Sequence, residues 1–372
     1  MMDFLAIPFA WVMKLCYQFT ALFNNGGGSY VVSLLLFALV MQLLLAPFGI
    51  IQQRNMVKQA KMRPMEYLIR KKYAGRNDRA TMQKMQNEIM ELYQKEGYSP
   101  LKGCLPMLLQ LVIIFPLYQV VIKPLQFISG LSSEVCGTLV TCFNNALNLG
   151  LDAKKSGYQV RLASSIIDNK EKWAEIVKGF STTAEDGTVT EVISADAAQK
   201  ALDALNNVKI IPDVTIFGQD LGAQPWDAFG DFKGLWFLLF IPVINLALMY
   251  VSQIVSKKLN PQQQMEQQQA GGGMMNSMKI MMWTMPLMTF FFTFTFPAAI
   301  GVYWIFRTLL SMLQQFILSR IFKMPKYSEE DLKRIEKEMK DAKRNQQKRP
   351  DIVYEGGEGK GYKSLHHIDD DE

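Results

Sequence analysis

The sequence predicts an all-α polytopic membrane protein: a core of five spans, a cytosolic helical hairpin after the first span, and a mostly helical external insert between the second and third. Two observations carry that prediction. Of 372 residues, 49% are hydrophobic and only 20% charged, too apolar for disorder and too uneven for one soluble core. Charge is also absent between Lys14 and Arg54, Lys102 and Lys123, Lys233 and Lys257, and Lys279 and Arg307. Each gap reaches or exceeds the ~20 residues that cross a ~30 Å hydrocarbon layer at about 1.5 Å per residue. An ordinary soluble enzyme is thereby excluded.

Residues 1–29 lack the basic stretch and small-residue cleavage site of a secretory signal, and the apolar run 3–23 holds a single Lys14. It reads as a helix lying at the membrane interface, with a tilted extra span as the alternative. Residues 30–51 form the first span after the breaker run Asn24 to Ser29, interrupted only by Ser33, Gln42 and Pro47. Residues 52–103 read as a helical hairpin. Met82, Met85, Ile89 and Leu92 repeat at helical spacing between Asp78, a suitable N-cap, and Gly97, a suitable stop, and Met62, Met65 and Ile69 make a matching stripe. The two stripes zip antiparallel around a turn at 75–78.

The second span covers 104–128 and the external segment 129–232. Within that segment, helical stretches at 165–179 and 195–207 flank a polar, threonine-rich run at 181–190, which marks a small folded insert over about 131–211. The third span is 233–256, followed by a cytosolic loop at 257–279. The apolar stretch after Lys279 is twice what one helix needs, and Pro297 near its middle divides it into spans 280–297 and 298–319. Residues 320–372 form a charged cytosolic tail.

Lys and Arg content in the flanking segments sets the orientation. Residues 53–103 hold 12 basic and 5 acidic residues, whereas 129–231 hold 8 basic and 14 acidic. The first is therefore cytosolic and the second external, with the N-terminus outside and the C-terminus inside.

No HExxH, GxSxG or P-loop motif occurs, and His366 and His367 lie in the charged tail; neither enzyme activity, a metal site nor a cofactor is expected. Polarity inside the spans stands out instead. Arg307 lies about ten residues into the fifth span, where a charge costs roughly 2.5–3.5 kcal/mol on insertion scales; it either faces a wet cavity or bonds neighbouring carbonyls. Gln42, Gln110, Asn245 and Thr308 are uncharged polar residues in spans, each explicable alone as helix-to-helix glue at ~0.6 kcal/mol, together as the lining of a groove. The 23 methionines suit either a surface that meets many hydrophobic sequences or gap-filling between helices. Cys136 and Cys142 suit either a disulfide at the base of the insert or two buried thiols. In the tail, Lys323, Lys333, Arg334, Lys343, Arg344, Lys348 and Arg349 suit contact with ribosomal RNA or anionic lipid, or a plain solvated helix.

Four stretches together resemble the YidC/Oxa/Alb family of membrane protein insertases. Residues 98–121 (YSPLKGCLPMLLQLVIIFPLYQVV) are similar to the family's N-P-L-x-G-C-x-P-x-x-x-Q start of a core span. Residues 278–297 (MKIMMWTMPLMTFFFTFTFP) and 298–315 (AAIGVYWIFRTLLSMLQQ) resemble its K-I-M-x-x-M-P and P-x-G-x-x-x-Y-W … Q-Q spans, and 52–97, including Pro64, resembles its cytosolic hairpin.

The resemblance implies an insertase and assembly chaperone in a bacterial plasma membrane, working alone on small clients or beside the Sec translocon. Its partners are nascent membrane proteins, membrane lipids and the ribosome, with no DNA. Five spans surround a hydrophilic groove that is closed outward, lined here by Arg307, Gln42, Gln110, Asn245, Tyr303 and Thr308, while Met62, Met65, Met82 and Met85 of the hairpin touch clients. The short stretch before residue 30 suggests a bacterium with a single membrane. Two departures stand out: Gln42 occupies the place where the bacterial pattern has an arginine in the first span, and Arg307 appears in the last span instead. The insert at 131–211 lies outside the pattern. Other classes compatible with the sequence are a small-solute transporter or channel and a membrane anchor for an external binding module.

Overall fold

The computed structural model describes residues 2–23, 29–73, 75, 78–98, 115–153, 157–183, 189–230, 235–259, 284, 286–325, 327, 330, 331, 333–335, 337 and 341. Helix α1 (Met2–Phe23) buries Ala6, Ala10, Met13, Tyr17 and Thr20 along one stripe and packs on α2 (Tyr30–Lys72) and on the short helix Pro124–Phe127. Its other faces carry exposed Trp11, Leu15, Phe19 and Leu22, beside a narrow polar strip of Lys14 and Gln18.

Helix α2 starts where the Ser29 side chain accepts from Val32 N, and runs for 43 residues. The first span and the first arm of the hairpin are therefore one helix, without the division expected at residue 51. Pro47 and Pro64 lie inside it; each removes one backbone hydrogen bond, and neighbouring structure tolerates the loss. Arg70, Lys71 and Lys72 fill its last turn, where the helix dipole favours cations.

The chain turns at Gly75, whose φ of 82° suits a residue without a Cβ. Asp78 then caps α3 (Arg79–Lys95) by accepting from Thr81 N at 2.9 Å. Helix α3 lies back along α2, with Lys72 paired to Glu88 near the turn and Lys58 Nζ donating to Gly97 O near the open end. Met62, Met85 and Ile89 are buried between them.

Residues 115–122 (α4) are helical and lead into α5 (Pro124–Phe127). Helices α10 (Phe240–Leu259), α11 (Pro286–Thr295) and α12 (Ala298–Ile321) complete the core. Among the described residues, three helices are long and apolar enough to cross a membrane: Ala6–Phe23, Tyr30–Lys72 and Trp236–Leu259. Helix α12 has 24 residues and is long enough, but carries Arg307, Gln314 and Gln315.

Helices α2, α10 and α12 run parallel. Contacts descend in step from Phe37·Tyr303 to Arg54·Phe322 on one side and from Asn245·Gly301 to Ser256·Gln315 on the other. Parallel neighbours require the chain to return across the layer between each pair, through α4 and α11.

The insert begins with α6 (Ser133–Leu147), capped by Ser132, and continues through α7 (Tyr158–Asp168), α8 (Trp173–Ile176) and α9 (Ala195–Asn207). Its core includes Leu139, Phe143, Leu162, Ile166 and Leu205. The stretch 165–179, expected as one helix, is divided between α7 and α8 by a turn at Asn169 and a 3-10 segment, Lys170–Lys172. The threonine-rich run holds strands β1 (Phe180–Thr183) and β2 (Val189–Ile193), paired antiparallel, as its β-branched residues favour. A second small hairpin pairs β3 (Thr215–Ile216) with β4 (Gln219–Asp220).

Of the two alternatives open for Cys136 and Cys142, the structure has the pair of thiols. Both are buried free thiols on α6, and six residues of helix separate their Cα atoms by about 9 Å of rise, beyond the ~7 Å a disulfide spans.

The insert is bolted to the spans. Ala298 N donates to Ala223 O at 3.0 Å and Ala299 N to Leu221 O at 2.9 Å, so loop carbonyls satisfy donors that a helix N-terminus otherwise leaves open. Gly157 packs so closely that a Cβ there would stand 2.2 Å from Pro297 Cγ.

Candidate functional site

Helix α12 carries two polar stripes. Tyr303, Arg307 and Gln314 are spaced four and seven apart, which places them on one face, and that face meets α2. The Tyr303 ring lies 6.1 Å from that of Phe37, and Gln42 Nε2 donates to Gln314 Oε1. Gly49 makes room for this contact, since a Cβ there would stand 2.5 Å from Gln314 Nε2. Gly301, Thr308 and Gln315, spaced by seven, form the second stripe, toward α10. Gln315 Nε2 donates to Ser256 Oγ.

Measured from the Phe37·Tyr303 contact, Gln42 and Arg307 stand at depths that differ by only about 1.5 Å. Arg307 and Thr308 are both half-buried, and Arg307 makes no ion pair among the described residues. A guanidinium half-buried in a span is costly unless water, a carbonyl or an opposite charge meets it.

Asn245 is different. It is buried, and its Nδ2 donates to Ile241 O at 3.1 Å and Gly301 O at 3.0 Å, so its side chain is spent on holding α10 to α12. Tyr303 is likewise almost fully buried. Gln110 lies outside the described residues.

In the hairpin, Met62 and Met85 are buried and Met65 and Met82 half-buried; the first two are taken up in packing, while Met90 is the exposed methionine of α3. In the tail, Lys323, Lys333 and Arg334 are exposed, Arg334 3.9 Å from Asp331; Lys343, Arg344, Lys348 and Arg349 lie outside the described residues.

Sequence reasoning missed one member of the seam and one buried polar residue of α2. Gln314 was visible only as half of a Gln-Gln pair. Gln53 fell outside the first span as delimited, yet α2 continues through it, and it is buried with an unpartnered Nε2. The arrangement offers hydrogen bonds and one positive charge, and no group of three metal-ligating side chains occurs among the described residues.

The model of a family described as the 60Kd inner membrane protein matches residues 22–148 and 200–327, more than half of the chain. The chain belongs to this family. This is the YidC/Oxa/Alb family of the sequence motifs, and with its apolar helices the chain is a membrane protein of it. Relatives include "Membrane protein insertase YidC 2" of Bacillus anthracis, 33% identical over 113 residues, 30% of this chain and 44% of that protein. "Membrane protein insertase YidC" of Clostridium perfringens is 34% identical over 115 residues, 30% and 46% of the two chains. The protein of that name from Corynebacterium efficiens is 31% identical over 140 residues, 36% and 34%. The aligned stretch spans less than half of these relatives. Most of the insert, residues 149–199, lies outside the family match.

Proposed function

We propose that the chain is a membrane protein insertase and assembly chaperone of a bacterial plasma membrane. Moving polar residues through hydrocarbon is the main barrier to insertion, because unsatisfied polar groups there cost several kcal/mol each, on the order of those in any apolar medium. A hydrated polar seam lowers that barrier for a short hydrophilic client segment while the client's apolar helix enters lipid. The observation that carries this reading is the stripe of Arg307 and Gln314 facing Gln42 across parallel helices. No bond is made or broken, so no catalytic group is required.

The charge distribution supports an outside N-terminus, a cytosolic hairpin and a cytosolic tail. The bolted insert supports closure of the bundle on the external side, and its many contacts with the spans disfavour a freely hung binding module. Clients are nascent membrane proteins, delivered directly or beside the Sec translocon, and the basic tail is the place for ribosome or lipid contact. Purified protein in lipid vesicles, given a small single-span client, tests the reading. Protease protection of the client's external segment is expected to rise several-fold over empty vesicles, and equal protection in both would overturn it.

A further inference from the structure

The insert end of the bundle carries a band of exposed aromatic rings that the polar seam does not use. Phe217 is 81% exposed at the tip of the β3–β4 hairpin, where its φ of 50° and the 75° of Gly218 make a two-residue turn with both central residues left-handed. Such turns favour Asn-Gly, and a bulky residue at positive φ is an outlier. Its ring meets Phe237 at 5.0 Å. Beside it, the 3-10 turn Pro225–Phe229 exposes Trp226 and Phe229, both against Phe294, and Trp236 opens α10.

The band continues the exposed apolar surface of α10 and α11, where Val243, Met288 and Phe291 are more than half exposed. Aromatic rings at the ends of membrane helices prefer the boundary between headgroups and acyl chains, and exposed apolar patches of this kind mark a covering partner. We propose that Phe217, Trp226, Phe229 and Trp236 sit in that lipid boundary, in the leaflet nearer the insert, and anchor the loop over residues 213–229 to the bilayer. The occupant is lipid, because the band adjoins the exposed apolar surface of α10 and α11 that a membrane-spanning chain presents to lipid. The backbone strain at Phe217 is explained as the cost of aiming a phenyl ring into it. This inference needs only that the chain spans a membrane, and its test reads position rather than insertion, so it stands or fails separately from the insertase reading.

The test uses the full chain in vesicles of phosphatidylcholine and phosphatidylglycerol, comparing wild type with Trp226→Phe so that the difference in emission isolates Trp226. That component is expected to be quenched at least twofold more by lipids with a nitroxide near the glycerol than by lipids with one near the chain end, and little by aqueous iodide. Strong iodide quenching without lipid quenching would place the band in water and overturn the proposal. Quenching by neither would place it in a protein contact and overturn it equally. Phe217→Asn supplies the favoured turn pair, so the hairpin is retained; with the anchor weakened, the Trp226 component should shift toward iodide access, and an unchanged profile removes Phe217 from the anchor.

Discussion

The hydroxyl of Tyr30, the first residue of α2, donates to the backbone carbonyl of Val121 at 2.6 Å, with both residues buried. Val121 sits in the last turn of α4, where the break at Lys123–Pro124 interrupts regular helix bonding, and the phenol takes the place of the missing donor. Tyr30→Phe keeps the ring and strands the carbonyl, which costs about 1–3 kcal/mol. A lower midpoint in detergent thermal unfolding is expected, with no change in which clients are inserted.

Gly301 lets α12 touch α10, for a Cβ there would stand 2.4 Å from Ile241 Cγ2 and 3.2 Å from Thr293 Cγ2. Gly301→Val should destabilise by about 1–3 kcal/mol through overpacking. Asn245→Leu removes the bonds to Ile241 O and Gly301 O and should cost less, about 0.6 kcal/mol. Thermal unfolding of both variants in the same detergent ranks them, and the reverse order would contradict this account of the contact.

Much of this was legible from residues alone. Two of the charge-free stretches coincide with helices long and apolar enough to cross hydrocarbon, in α2 and α10, and Asp78 and Gly97 marked α3 because caps and left-handed stops have few chemical solutions. The division placed at residue 51 is not made, and α2 runs on through Pro47 and Pro64, since a proline interrupts one bond while flanking turns hold the axis. The two strands at 180–193 were hidden by polarity, and α6 because Cys136 and Cys142 drew attention to a bond rather than to their helical surroundings. At the seam, Arg307 and Gln42 were visible as polar residues in apolar runs; that Gln314 joins them depends on packing between residues 272 positions apart.

Arg307 and Gln42 stand at nearly one level on facing helices, so a charge moved between them should remain in the same seam. Arg307→Ala is expected to fold and to insert clients with acidic external segments roughly tenfold less well, a loss of about 1.4 kcal/mol. Adding Gln42→Arg should restore part of that activity. The vesicle insertion assay decides it: wild-type rates for Arg307→Ala on every client would sink the role given to this charge.

Burial pushes the Cys136 thiol from its ordinary 9.0 up to about 12. Cys142 is also raised, chiefly by burial. Both should resist maleimide at pH 7–9, as is usual for buried, protonated thiols of pKa above about 8.5, and react after denaturation without reductant. The unfolded chain gives up these protons first, so this contribution to stability is complete below pH 9.0 and is lost as pH rises toward about 12. Unfolding midpoints measured across that range should fall, and Cys136→Ala should flatten the slope.

Because the first span and the first arm of the hairpin are one helix, they form a single lever. The contacts that hold it to α12 run from Phe37 through Gly49 to Arg54. Beyond Arg54 the helix reaches about 27 Å to Lys72, at 1.5 Å per residue, so a sideways load on the hairpin end is borne first where Arg54 lies over the Phe322 ring.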